Sequence, residues 1–446
     1  MKTRLRLWWI DLQDSLWFVP AVLTTIAAAL ALATVEVDLR LLLDRRPGAG
    51  WFFGGGAEGA RGVLAAIAGT MITVTALVFS ITVVALQLAA SQLTPRVLRS
   101  FMSDRGNQVV LGFFIGTFTY ALLVLRAVRA PLEEQGAFVP AVSVTVAIVL
   151  ALASVGLLIY FIHHAANSMR VSVVVDRVAR STLDLADELY PAATGERQPT
   201  PPNTRSRAEG SAVPVRSDEA GYLQAVETDA LLDLAAKGSL TIRIEPCVGD
   251  FVLPQTAVAL VLPASSTEID RAIRRALSLG PERTVQADIG FGVLKLADIA
   301  VKALSPGIND PTTAMICVDR LAEVLLRLAH RIPPDSVRVL GDGDGQVVLP
   351  GPSFERLVGI AFDRIRHYGA GDARSAEHLV ATLGRMSPLV PPVYRPLLGR
   401  EARSAAAEAR TQISVEDDIA LVERAAAWAF QADLTLVEAD GDGRVR

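Results

Sequence analysis

The sequence predicts an α-helical membrane protein with four transmembrane helices, followed by a cytoplasmic α+β domain that contains a small β-module. Two observations carry this. Before about residue 170 the chain holds four long runs without a charged residue. Beyond that point charges return at ordinary density, and alternating stretches are separated by turn residues.

The runs are Ser15–Val35, Val63–Ala90, Val109–Leu125 and Val139–Ile162. A bilayer core needs roughly 20 apolar residues as helix, and buried helices of soluble domains are usually shorter. The first run is too long for a cleaved signal, follows the interfacial aromatics Trp8 and Trp9, and has Trp17 at its start. Lys2, Arg4 and Arg6, then Arg96, Arg99 and Arg105, then Arg170, Arg177 and Arg180 flank alternate ends of the runs. The other two loops mix signs, with Asp38, Asp44, Glu133 and Glu134 among their arginines. That bias, with an even number of spans, places both termini in the cytoplasm.

The domain reading is 1–170 for the membrane part, 171–190 for a connecting amphipathic helix, 191–221 for a flexible linker rich in Pro, Ser, Thr and Arg, and 222–446 for the cytoplasmic domain. Within the last, Ala225–Gly238 reads as a helix and Leu240–Pro263 as strands. The turn Gly249–Val252 is similar to half of a biotinyl or lipoyl barrel-sandwich domain. The carrier lysine of such domains is missing, so the stretch reads as a β-module without a swinging arm. Helices are expected at Glu268–Leu279, Phe291–Leu304 and Pro311–Arg331, a hairpin at Val337–Leu349, and mostly helix from Ser353 onward.

Composition excludes several function classes. The net charge of −4 gives no sign of a nucleic-acid binder. Cys247 and Cys317 are the chain's two cysteines and lie far apart, against a disulfide framework or a cysteine metal site. Glycine-rich Gly48–Gly62 lacks the Lys-Ser or Lys-Thr ending of a P-loop. Asp342 and Asp344 in "GDGDG" lack the ligand series of a calcium loop. His330, His367 and His378 show no metal-ligand spacing, and adjacent His163 and His164 read as interfacial anchors. No catalytic set and no cofactor are expected.

Two long stretches, Val78–Asp104 and Gln286–Leu321, resemble the hallmark segments of a bacterial family of membrane proteins known as domain of unknown function 2254. The resemblance covers nearly the whole chain. It implies four spans and a large cytoplasmic part, and it brings no activity with it.

Function is therefore read from residues. In the second run, Thr73, Ser80 and Gln87 recur every seven residues, with Ser91 one turn on and Ala76 and Ala90 on the same side. This is a polar, small-residue stripe on one helix face. It serves either helix packing or the lining of a narrow path around a symmetry axis. Gln92, Arg96 and Arg99 would form the mouth of such a path, where arginines also serve as positive-inside and headgroup contacts. Gly112-x-x-x-Gly116 and Ala147-x-x-x-Ala151 are packing faces of the third and fourth runs.

The stretch "ALSPGINDPTTA" (Ala303–Ala314) reads as a corner between helices, stopped by Pro306 and Gly307 and restarted by Asp310 as cap and Pro311 at the first position. Lys295, Asp298, Lys302, Asn309, Asp310 and Thr312 form a candidate ligand or subunit contact around it. The favoured function is an oligomeric channel or pore for ions or small solutes, with membrane lipid and copies of the chain as partners. The competing reading is a membrane scaffold or stress sensor that transports nothing.

Overall fold

The computed structural model describes residues 15–43, 53–92, 104–129, 138–168, 170–190, 212–284, 287–331, 337–339 and 345–441. They divide into two compact units, 1–170 and 171–446. The first contains the four helices long and apolar enough to cross a membrane. They are α1 (Phe18–Leu43), α2 (Ala57–Gln92), α3 (Arg105–Ala127) and α4 (Ala141–Ser168). At a rise of about 1.5 Å per residue, the 36 residues of α2 extend about 54 Å, well beyond a hydrocarbon core of about 30 Å.

The third helix is the centre of this unit and packs against each of the other three. Half of its apolar window is buried, against 11% for α1 and α2. Gly112 and Gly116 explain its approach to α1. A Cβ on Gly112 would lie 2.9 Å from Pro20 Cα, and one on Gly116 would lie 3.2 Å from the Ala27 Cβ. Side chains on the same helix, including Phe114, Tyr120 and Val124, fill the interior with Leu64 and Ala68 of α2 and Val144 and Ala147 of α4. In lipid, such close approach of small residues supplies the van der Waals contact that holds helices together.

A second device ties α1 to α4. The fourth span opens after Pro140, which has no side-chain oxygen to cap it. Asp38 of α1 does so instead: its Oδ1 accepts from Val142 N at 2.9 Å, and its Oδ2 accepts from Ser143 N at 2.9 Å and from Ser143 Oγ at 2.6 Å. The Tyr120 hydroxyl donates to the Ser143 carbonyl at 3.1 Å and lies 2.9 Å from Thr34 Oγ1. A buried carboxylate is thus paired with the otherwise unbonded N–H groups at a helix start, where the helix dipole also favours it.

The second unit begins with α5 (Val171–Leu189), separated from α4 by two residues. Its elements continue as β1 (Val213–Arg216), β2 (Gly221–Val226), α6 (Thr228–Gly238), β3 (Thr241–Ile244), β4 (Phe251–Val252), β5 (Ala257–Leu262), α7 (Thr267–Ala276) and β6 (Leu277–Gly280). Then come α8 (Ile289–Ala303), α9 (Pro311–Ala329), β7 (Val337–Val339), β8 (Gln346–Val348), α10 (Phe354–Gly369), α11 (Ala373–Met386), α12 (Arg395–Gln412) and α13 (Glu416–Gly441).

The β-module has a five-stranded sheet in the order β1-β5-β3-β8-β7 and a three-stranded sheet in the order β4-β2-β6. The β3–β8 pair is parallel and the others antiparallel. Leu223 and Leu277 of the smaller sheet share one core with Ile242, Val261 and Val347 of the larger, closed by Leu231 of α6 and Ile273 of α7. Full burial of each such side chain contributes about 2 kcal/mol. On the helical side α8 is the centre. It packs against α5, α9 and α10, and Gly292 admits Thr182 of α5, whose Oγ1 would lie 2.4 Å from an added Cβ.

Several boundaries differ from the sequence reading. Ala225 and Val226, expected to start a helix, end β2, because strand pairing to Ser278 and Leu277 competes successfully for them. Leu277–Leu279, expected as helix, is β6 for the same reason. Val213–Arg216, inside the stretch read as linker, is β1, paired with β5; residues 191–211 lie outside the described residues. Strands β7 and β8 pair as the expected hairpin, with Asp342 and Asp344 of its turn outside the described residues.

The Asp38 cap gives a stability prediction. Asp38→Ala removes three hydrogen bonds to one charged group and should cost about 2 kcal/mol, with Asp38→Asn costing less. Thermal unfolding in detergent measures it, and an unchanged midpoint for Asp38→Ala would show that the cap carries no stability.

Candidate functional site

The second span presents most of its surface outward. Ala60, Leu64, Ala68, Met71, Thr75 and Val78 face the interior at spacings of four and three residues. The opposite face carries the stripe: Thr73, Ser80, Gln87 and Ser91 are all exposed. Thr73 Oγ1 donates to Gly69 O at 2.9 Å and Ser91 Oγ to Leu88 O at 2.9 Å, so these hydroxyls are satisfied within their own helix. Gln92 is the last residue of α2, and its side chain lies outside the described residues, as do Arg96 and Arg99.

The exposed face holds more than the sequence pattern singled out. Gly62, Ala66, Gly69, Thr73, Ala76, Ser80, Val83 and Gln87 follow one another at alternating intervals of four and three, and every one of them is exposed. This is the seam spacing of helices that wind around each other left-handedly. A Cβ on Gly62 or Gly69 would meet nothing within 4 Å. Gly112 and Gly116 are glycines for a reason found inside the chain, whereas Gly62 and Gly69 have no such reason among the described residues.

The candidate contact set in the second unit separates into two groups. Lys295 and Asp298 are buried on α8. Asp298 pairs with Arg364 of α10, and Lys295 Nζ lies 5.0 Å from the centroid of the Phe291 ring. Lys302, Asn309 and Thr312 are exposed. Asp310 caps α9: its Oδ1 accepts from Thr313 N at 3.1 Å, its Oδ2 accepts from the Thr313 hydroxyl, and Pro311 occupies the first turn. The corner also closes its own backbone, with Asn309 N donating to Ser305 O and Asp310 N to Ala303 O, both at 2.9 Å. Asn309 has a φ of 50°, the left-handed region that asparagine tolerates better than most residues.

A polar cluster that sequence patterns did not reveal lies at the start of α8. Asp288 caps Phe291 N at 2.9 Å and takes both Arg283 Nε at 2.7 Å and Arg283 Nη2 at 3.0 Å. The Arg283 guanidinium is 5.3 Å from the Phe291 ring centroid, so this ring interacts with two cations. Gly249, with a φ of 94°, abuts the cluster: an added Cβ would fall 2.1 Å from Asp288 Oδ2. Next to it Asp250 accepts from Cys247 N and from Arg356 Nη2, and that hydrogen bond raises the Arg356 pKa. The one legible signal was Gly249 in a turn; Arg283, five residues before its partner in a polar loop, has no motif.

The sequence model described as "Predicted membrane protein (DUF2254)" matches residues 13–385, from the first span through α11. The chain belongs to the DUF2254 family. Among its relatives are the uncharacterized proteins Rv1290c of Mycobacterium tuberculosis and Mb1321c of Mycobacterium bovis, each 37% identical over 432 residues, covering 94% of this chain and 77% of the relative. No solved structure matches this DUF2254 chain.

The corner separates cap from contact experimentally. Asp310→Ala should cost about 1 kcal/mol through the lost cap. Asn309→Ala should cost about 1 kcal/mol through its positive φ, and Asn309→Gly should cost nothing. Unfolding midpoints of the purified variants measure this; an Asn309→Gly protein as unstable as Asn309→Ala would mean the amide side chain itself holds the corner.

Proposed function

We propose that this DUF2254 protein forms homo-oligomeric channels or pores for ions or small solutes in the bacterial cytoplasmic membrane, with both termini inside and the second unit regulating or assembling the oligomer. The observation that carries this is the exposed face of α2, small at the seam positions from Gly62 to Ser80 and polar at Thr73, Ser80 and Gln87.

The physical chain is short. The Gln87 amide has two donors and an acceptor, and in hydrocarbon an unsatisfied amide is costly. Copies of α2 that meet along the seam let these amides bond across the interface, at about 0.6–2 kcal/mol per bond. The open Cβ positions of Gly62 and Gly69 let the backbones approach. Several such helices around an axis enclose a path lined by neutral hydroxyls and amides, which replace water weakly and reversibly. Leu77 and Val84, exposed on the edge of the same face, would narrow it and close it by dewetting. Arg96 and Arg99, four and seven residues beyond Gln92 in the sequence, would favour anions if they ring the mouth of the path.

The scaffold or sensor reading draws support from one specific observation: the Thr73 and Ser91 hydroxyls already have acceptors in their own helix and need no water. Flux distinguishes the two. Purified protein in liposomes should pass ions, and Gln87→Leu, which removes both the lining amide and its bonds across the interface, should reduce flux by about tenfold and loosen the oligomer while leaving the fold of each copy intact. Folded oligomers that pass nothing would leave the scaffold or sensor as the function.

A further inference from the structure

The second unit contains a cavity of about 180 Å³ where the end of α5, the β-module and the loop before α10 meet. Its walls are apolar, with Val226, Ile244, Ile289 and Leu349 among them. Leu349–Pro352 supplies one side, a Leu-Pro-Gly-Pro segment whose prolines limit its motion. Thr228 and Asp288 are the polar side chains of the lining, apart from the Tyr190 phenol.

We propose that this cavity is a binding site for a small, neutral, mostly apolar ring compound that carries one hydrogen-bond donor. Three features select that chemistry. Protein interiors leave few voids larger than a water molecule, and an engineered cavity of about 150 Å³ in another protein takes benzene, so the space suits one or two fused rings. Ordered water needs two to four polar partners each, and the mostly apolar walls hold it weakly, so a ring compound displaces it readily. Asp288 is already neutralised by the bidentate Arg283, so a full cation has no unmatched charge to meet, and an anion would face a carboxylate. A single donor on the ligand matches the acceptor oxygens of Thr228 and Asp288.

The position gives the site a consequence. Leu189 of the lining ends the helix that follows the fourth span after two residues, and Tyr190 comes directly after it. That end is already held from one side, because Arg331 donates to Tyr190 O at 2.7 Å and pairs with Asp187. A ring in the cavity packs on it from another side and joins it to the β-module. Occupancy therefore stiffens the connection between the β-module and the helix leading from the membrane, whether or not α2 lines a path.

The test uses the full-length protein in detergent with indole, whose ring and single N–H match the site. Hydrogen exchange at residues 185–190 and 349–353 should slow by several-fold as indole saturates, with no comparable change in α11–α13. Ala287→Leu fills the cavity from its lining and should abolish that protection while keeping the unfolding midpoint at or above that of the parent. Thr228→Val keeps the shape and should weaken indole by roughly threefold to tenfold. Absence of protection at these residues, or equal protection in Ala287→Leu, would overturn the assignment.

Discussion

Gly112 and Gly116 set the arrangement of the membrane unit. Because neither has a side chain, α1 comes within van der Waals contact of the α3 backbone, at distances that any Cβ would obstruct. Lipid tails are as apolar as leucine, so burying apolar area supplies little drive for helix association within a bilayer; close fit does. With α3 packed against all three neighbours, the interior is closed by Phe114, Tyr120 and Phe161 and has no use for the outer face of α2. Along its seam that face carries mostly small and polar side chains, flanked by apolar ones such as Ile72, Leu77, Phe79 and Val84, and the small and polar residues are the ones least suited to plain contact with lipid.

Aspartates at helix starts recur through the chain. Asp104, Asp288, Asp310 and Asp372 each cap the helix they precede. Asp38 performs the same task across a tertiary contact, for a helix whose preceding residue is proline. In each case a carboxylate satisfies N–H groups that would otherwise have no partner, and at Asp38 and Asp288 it does so while buried. The Asp288 cap also anchors the corner of the β-module against α8 through Arg283, so one side chain orders both the helix start and the wall of the adjacent cavity.

The spans were legible because a bilayer demands long uncharged runs, and nothing local competes with that signal. The Asp310 cap was legible because cap, proline and hydroxyl are neighbours in sequence. Asp38 was not, since its partners at Val142 and Ser143 are more than a hundred positions away and it looked like one more charge in a mixed loop. Ala225–Val226 and Leu277–Leu279 were misassigned because short apolar segments take the structure of whatever they pair with, here each other. Thr73, Ser80 and Gln87 were found by their seven-residue period, but the companion glycines gained meaning only once their surroundings proved empty. Lys295 and Asp298, grouped with the corner as a candidate contact, are buried on α8, where Lys295 lies beside the Phe291 ring and Asp298 pairs with Arg364.

The account rests on α2 meeting copies of itself along one seam, and disulfide formation in native membranes tests that contact directly. Single cysteines would be placed in a chain whose Cys247 and Cys317 are replaced by alanine. Cysteines at Thr73, Ala76 and Ser80 should cross-link into covalent dimers, while those at Ile72 and Phe79, exposed on the flank of the same helix, should not. Equal cross-linking at flank and seam, or none at the seam in folded protein, would contradict it.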